Sequence, residues 1–195
     1  MKKHLLMLLA LSPLTACASM EGTGPAMTKG YLVIGQPDFS EVDGDGKADG
    51  FGFTYTSEAP GSSFGWEAGI FQGDLSNGAG EDEEGVGVEY IEVFGGIRKT
   101  FEEIASKMKP YVGGGISLAN STVYSDHPAG IDDRDVDLAV APYIHGGVDY
   151  EISENLSIGL NLRINLGTEV DVEGPENYTL ETDNTQISLL IGWGF

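Results

Sequence analysis

Positive charge is what this chain most lacks. Its 195 residues carry 10 Lys and Arg against 31 Asp and Glu, a formal net charge of -21. A phosphate backbone is met by clustered Lys and Arg, so nucleic-acid binding is excluded as a role. Cysteine occurs once, at Cys17, so no intramolecular disulfide forms. Long apolar runs are missing after the first twenty residues, and no long stretch has the spacing of an amphipathic helix. Histidine is rare, and the 29 glycines follow no fixed period, which removes collagen and solenoid architectures. Nothing in the middle of the chain resembles a linker, so one domain is expected.

The apolar residues that remain are arranged in period two. From Leu156 to Gly167 the sequence reads LSIGLNLRINLG, with Leu or Ile at every even position up to Leu166 and Ser, Gly, Asn or Arg at every odd one. A strand sends successive side chains to opposite faces, so one face is aliphatic and the other polar. In a soluble sandwich the aliphatic face would be the core; in a membrane barrel it would face lipid. Other runs repeat the pattern. Val136, Leu138, Val140, Pro142, Ile144 and Val148 share one face against Asp137, Tyr143, His145 and Asp149, and Ile187, Leu189, Ile191, Trp193 and Phe195 share another, with Leu190 as the exception on the polar side.

Eight strand-like runs follow a leader: 29–36, 50–57, 63–73, 86–100, 107–122, 135–151, 156–170 and 185–195. Several exceed the usual strand of a soluble sheet and reach the tilted span of about 9–11 residues. The connections after the first, third, fifth and seventh runs are long and acidic, and those between are shorter or less acidic. Long loops at one end and short turns at the other are the habit of a membrane barrel. The expected fold is all-β, an eight-stranded antiparallel up-and-down transmembrane barrel over 29–195. One short helical turn is expected near 100–108, where Phe101, Ile104, Ala105 and Met108 recur at helical spacing. Trp66, Tyr111, Tyr150 and Trp193 stand near strand ends, as interface girdles or as plain packing.

Residues 1–18 read as a signal peptide: Lys2 and Lys3, the apolar run from Leu5 to Leu11, then small residues. Leu14-Thr15-Ala16-Cys17 resembles the bacterial lipobox, which would lipidate Cys17 and cleave before it. The other reading is an A-x-A site at Ala16-Cys17-Ala18 with cleavage before Ser19. A cysteine rarely falls there by chance, which favours the lipobox. Residues 19–28 form a short N-terminal segment.

The segments PYVGGG from Pro110, GGVDY from Gly146 followed by NLSI from Asn155, and the terminal IGWGF resemble the outer-membrane barrel family that includes the OmpA transmembrane domain, OmpX and OmpW. The resemblance implies the Gram-negative outer membrane, with its lipid and lipopolysaccharide as surroundings. It also makes Ile191, Trp193 and Phe195 an assembly signal read by the barrel assembly machinery. The lipobox departs from the family, most of whose members carry an ordinary leader.

Alternation places Glu67, Asp137, His145, Asp149 and Arg163 in the lumen. Glu92 and Arg98 join them if Ile91, Val93 and Ile97 face lipid. Eight strands leave a space just filled by side chains, so these charges are expected to pair as a structural polar plug. In one loop, Glu41, Asp43, Asp45 and Asp49 stand at the first, third, fifth and ninth places, with Gly46 at the sixth. That matches the start of a calcium loop, although Gly52 stands where the bidentate Glu belongs; an ordinary acidic glycine turn is the other reading. No other cofactor is expected. A barrel enzyme acting on lipid A needs a histidine with a serine near it; Ser125 and His127 fall in a loop, and His145 has no serine two places away. The expected role is therefore non-enzymatic, structural or interactive toward an extracellular partner. A narrow channel or carrier for small hydrophobic molecules is the alternative.

Overall fold

The computed structural model describes residues 26–39, 49–76, 86–105, 107–125, 134–166, 169–172, 178–181 and 184–195. They form ten strands: β1 (Met27–Phe39), β2 (Asp49–Glu58), β3 (Phe64–Ser76), β4 (Val86–Thr100), β5 (Met108–Ser125), β6 (Arg134–Ser153), β7 (Leu156–Asn165), β8 (Glu169–Val172), β9 (Tyr178–Glu181) and β10 (Asn184–Gly194). Eight of them close into a barrel in which each strand pairs antiparallel with its neighbours and β10 returns to β1. Closure matters because an open edge would leave unpaired backbone groups facing hydrocarbon.

The register fixes the tilt. The directly paired residues Lys29, Thr56, Glu67, Gly96, Gly115, Tyr143, Asn165 and Asn184 lead once round the wall and arrive back on β1 at Phe39, 10 positions from the start. That stagger tilts the strands and narrows the interior to a space that side chains fill.

The two faces separate as period two requires. Ile97 is 65% exposed, Ile116 60%, Val140 60%, Leu160 58% and Ile187 64%, all on the outside. Glu67, Glu92, Arg98, Asp149 and Arg163 are buried inside. An aliphatic outer surface of this extent is untenable in water and stable in hydrocarbon, so the aliphatic stripes belong to lipid. Leu190, the sequence exception, follows its strand parity inward, beside its register partner Val33.

Two expectations need correction, and one open alternative is decided. The seventh run does not continue to 170. Asn165 is the last residue of β7 paired with both β6 and β10, and beyond it Glu169–Val172 pairs with Tyr178–Glu181 as a separate hairpin. β6 itself runs on to Arg134, and Leu166 N–H still donates to Pro142 O at 3.0 Å, but the next described strand pairs with β9 rather than with β6. The helical turn near 100–108 does not form either. Phe101 N–H donates to Pro110 O (2.8 Å), Ile104 N–H to Met108 O (3.1 Å) and Met108 N–H to Ala105 O (3.1 Å). These groups close the β4–β5 turn, with Lys107 at φ 79°, and a single helical turn would have to repay its nucleation cost with fewer bonds. Of the two readings of Tyr111, packing holds and the girdle does not. The residue lies inside and is 2% exposed, because it shares strand parity with Ser117 and Ala119. Trp66, Tyr150 and Trp193 do sit on the outer face near the short-turn end, with Tyr55 5.3 Å from Trp66 and Phe53 5.8 Å from Trp193 between ring centroids.

Candidate functional site

Three tiers of charge fill the lumen. Nearest the short turns, Arg98 of β4 donates through Nη2 to Asp149 Oδ2 of β6 at 2.7 Å, and Tyr31 Oη donates to the same oxygen at 2.7 Å. The guanidinium lies 3.5 Å from the ring centroid of Tyr111. Its stacking therefore adds a cation–π contact to a charge-assisted hydrogen bond.

In the middle tier Tyr143 Oη donates to Glu67 Oε1 at 2.7 Å, and His145 Nε2 lies 2.9 Å from the same oxygen. His145 Nδ1 lies 3.0 Å from Asn161 Oδ1, which also accepts from Tyr111 Oη at 3.1 Å. Nearest the long loops, Arg163 Nη2 donates to Glu92 Oε1, and Tyr90 Oη donates to Glu92 Oε2 at 2.8 Å. Arg163 Nε donates to Asn165 Oδ1 at 3.2 Å, and Asn165 Nδ2 donates to Asn184 Oδ1 at 3.2 Å. The Arg163 guanidinium sits between two rings, 4.0 Å from the centroid of Phe94 and 3.9 Å from that of Tyr143. Tyr143 thus joins the upper tier to the middle one, and Tyr111 joins the middle to the lower.

Each of the three carboxylates in these tiers meets a basic side chain, which is what burial in a low dielectric demands. The glycines opposite make the crossing possible. A Cβ on Gly96 would stand 2.5 Å from Tyr143 Oη, one on Gly147 2.5 Å from Tyr111 Oη, and one on Gly113 2.1 Å from His145 Nε2. A cavity of about 30 Å3 remains, lined in part by Tyr31, Glu67, Arg98, His145, Arg163 and Ser188. That is room for roughly two water molecules. Ser188 Oγ and Arg98 Nε, both buried without a hydrogen-bond partner, are groups such waters would satisfy.

The structure thus brings six of the expected lumen residues together as Arg98 with Asp149, Glu92 with Arg163 and Glu67 with His145. The side chain of Asp137 lies outside the described residues, as do Cys17, Glu41, Asp43, Asp45, His127 and the side chain of Ser125. Asp49 is described: it is exposed and accepts a hydrogen bond from Gln36 Nε2 at 2.7 Å. Ile191, Trp193 and Phe195 all point outward, and the Phe195 N–H donates to Thr28 O at 3.1 Å, adding a bond to the β10–β1 seam. Sequence reasoning missed the tyrosines 31, 90 and 111 as network members. Their signal was parity, since Tyr90 and Glu92 stand two apart on one strand face and Tyr111 faces the same way as Ser117.

A closed antiparallel barrel with an aliphatic belt outside and paired charges inside is a transmembrane β-barrel. Its fold is that of small outer-membrane barrels. The attachment invasion locus protein Ail of Yersinia pestis, solved with the heparin analogue sucrose octasulfate, matches with a TM-score of 0.56 at 13% identity over 87% of this chain and 97% of that one. Neisserial surface protein A matches with a TM-score of 0.55 at 14% identity over 89% and 98%. The outer membrane protein W of E. coli matches with a TM-score of 0.54 at 18% identity over 90% and 100%. At these identities the likeness is one of fold. No protein-family model and no curated protein matches the sequence.

Proposed function

We propose that this chain is a Gram-negative outer-membrane barrel without catalytic activity, acting as a structural or surface-interaction protein through the acidic loops beyond its long-loop end. The observation that carries this reading is the filled lumen: side chains from β1, β3, β4, β5, β6, β7 and β10 meet across it around a cavity of about 30 Å3. A barrel closed in this way offers a partner its loops and its outer wall. Two proteins of the same fold, an attachment invasion locus protein and a neisserial surface protein, carry surface roles in their names. Lipopolysaccharide is the lipid that surrounds the long-loop end, and the barrel assembly machinery reads the outward Ile191, Trp193 and Phe195. Cys17 carries lipid after cleavage before it.

The test is conductance across planar bilayers holding the purified full-length protein, run beside uptake of small hydrophobic molecules into vesicles. Neither should exceed the protein-free background. A stable single-channel conductance, or uptake that depends on the protein, would replace this reading with the narrow channel or carrier.

Calcium on Glu41, Asp43, Asp45 and Asp49 belongs to the same proposal, supported by their alternate spacing around Gly46. Isothermal titration with calcium should give saturable binding that Asp43→Asn with Asp45→Asn removes. Titration heats equal in the two proteins would leave only an acidic glycine turn.

A further inference from the structure

All four lysines among the described residues, Lys29, Lys99, Lys107 and Lys109, lie at the short-turn end. Three have polar partners. Lys29 and Lys109 approach Glu151 Oε1 at 3.3 and 2.8 Å, and Lys107 Nζ donates to the Ile152 carbonyl at 3.5 Å. Lys99 is different. It stands at an odd position of β4, on the outer face with Ile91, Val93 and Ile97, and has no carboxylate within ion-pair distance among the described residues.

Its surroundings are apolar and aromatic. Phe64 is its direct partner on β3 and Val112 its direct partner on β5. The ammonium lies 4.9 Å from the Phe64 ring centroid and 5.3 Å from that of Phe101, so two rings hold it. Both rings are themselves exposed on the wall, and Trp66, paired with Ile97, stands one register step nearer the barrel middle. Trp66 and Tyr55, 5.3 Å apart between ring centroids, are amphipathic rings of the type that marks the level of the lipid headgroups. A lysine stem runs along apolar surface and carries its charge to that level. The nearby carboxylates do not neutralise it: Glu102 is exposed in the turn, and the Glu103 carboxylate accepts the Lys107 N–H. At the opposite end the exposed charges among the described side chains are Asp38, Asp49, Asp74 and Glu89. Among the described side chains, the wall therefore offers an anion a cation at the short-turn boundary.

We propose that Lys99, held between Phe64 and Phe101, is a binding point for the phosphate of a phospholipid in the leaflet at the short-turn end. The acyl chains of that lipid lie along Ile97, Val112 and Ile116. The ammonium meets the phosphate where the aromatic rings already exclude water, so the charge pair is stronger than one in bulk solvent. The proposal rests on the reading of the outer wall as lipid-facing.

The test is native mass spectrometry of the full chain extracted from bilayers of phosphatidylethanolamine and phosphatidylglycerol, with and without added lipopolysaccharide. The wild type should retain phospholipid at a detergent level that strips it from K99Q. K109Q, whose lysine points inward toward Glu151, should retain it as the wild type does. Removing the rings in Phe64→Leu with Phe101→Leu should weaken retention while leaving the charge. Equal retention by wild type and K99Q overturns the site, and so does displacement of the phospholipid by lipopolysaccharide, which would assign the phosphate to the other leaflet. Band shift on heating in SDS is measured on every sample. An unshifted wild type would sink the transmembrane reading itself, whereas shifted bands with equal retention would sink only the lipid site.

Discussion

Arg98 and Asp149 stand 51 positions apart in the chain and 2.7 Å apart in the lumen, each nearly withdrawn from solvent. Breaking such a pair leaves one buried charge uncompensated, at a cost of about 3–5 kcal/mol, whereas replacing both partners by apolar side chains is often neutral. Urea unfolding in vesicles should therefore find Arg98→Met and Asp149→Leu each strongly destabilised and the double variant close to wild type. Equal losses in all three would mean that the pair is not coupled.

The two neighbouring glycines of β6 should respond oppositely to a methyl group. At Gly147 a Cβ would stand 2.1 Å from the Leu160 carbonyl oxygen and 2.5 Å from Tyr111 Oη, whereas at Gly146 its nearest neighbour is the Tyr111 carbonyl oxygen at 3.4 Å. Overpacking costs about 1–3 kcal/mol. G147A should lower the temperature at which the folded band is lost in SDS, and G146A should leave it nearly unchanged. A reversed order would place the two faces of β6 the wrong way round.

Depth along β7 can be read by arginine. Leu160 and Leu156 share the outer face, with Leu160 in mid-strand and Leu156 at its short-turn end. On a lipid face arginine costs about 2–4 kcal/mol at the midplane and about 0–1 near the interface. L160R should be the more destabilised by that difference in vesicle unfolding. Equal penalties would argue that this face does not span hydrocarbon.

Deleting Phe195 separates assembly from stability. Its side chain is 75% exposed and its N–H adds one bond at the β10–β1 seam, so a refolded barrel should lose little without it. If the outward terminal residues are the assembly signal proposed above, the heat-shifting form should fall sharply in cells while detergent refolding stays efficient. Equal yields in cells for the deletion and the wild type would remove that role.

Much of this barrel is legible in the sequence. Leu156, Ile158, Leu160, Leu162, Ile164 and Leu166 needed only strand periodicity to share one face, and Arg163 then had to lie on the other. The same parity carried Glu67, Glu92, Arg98, His145 and Asp149 inward. A place near a strand end does not by itself tell a girdle ring from a packed one, and for Tyr111 parity decides for packing. The sequence misleads where apolar spacing near 100–108 suggests a helical turn, because the hydrogen bonds of Phe101 and Ile104 go to β5, which local spacing does not contain.

The sequence alone determined the two faces, since the direction of a side chain along a strand depends on nothing beyond its neighbours. Only the tertiary structure decided which inward charges meet. Sliding one strand by two residues leaves every face unchanged but gives each residue a new partner. The meeting of Arg98 with Asp149, Glu92 with Arg163 and Glu67 with His145 is set by the eight registers together and by the closure of β1 on β10 with its stagger of 10 residues. That closure is a property of the whole ring, and no segment of the chain encodes it by itself.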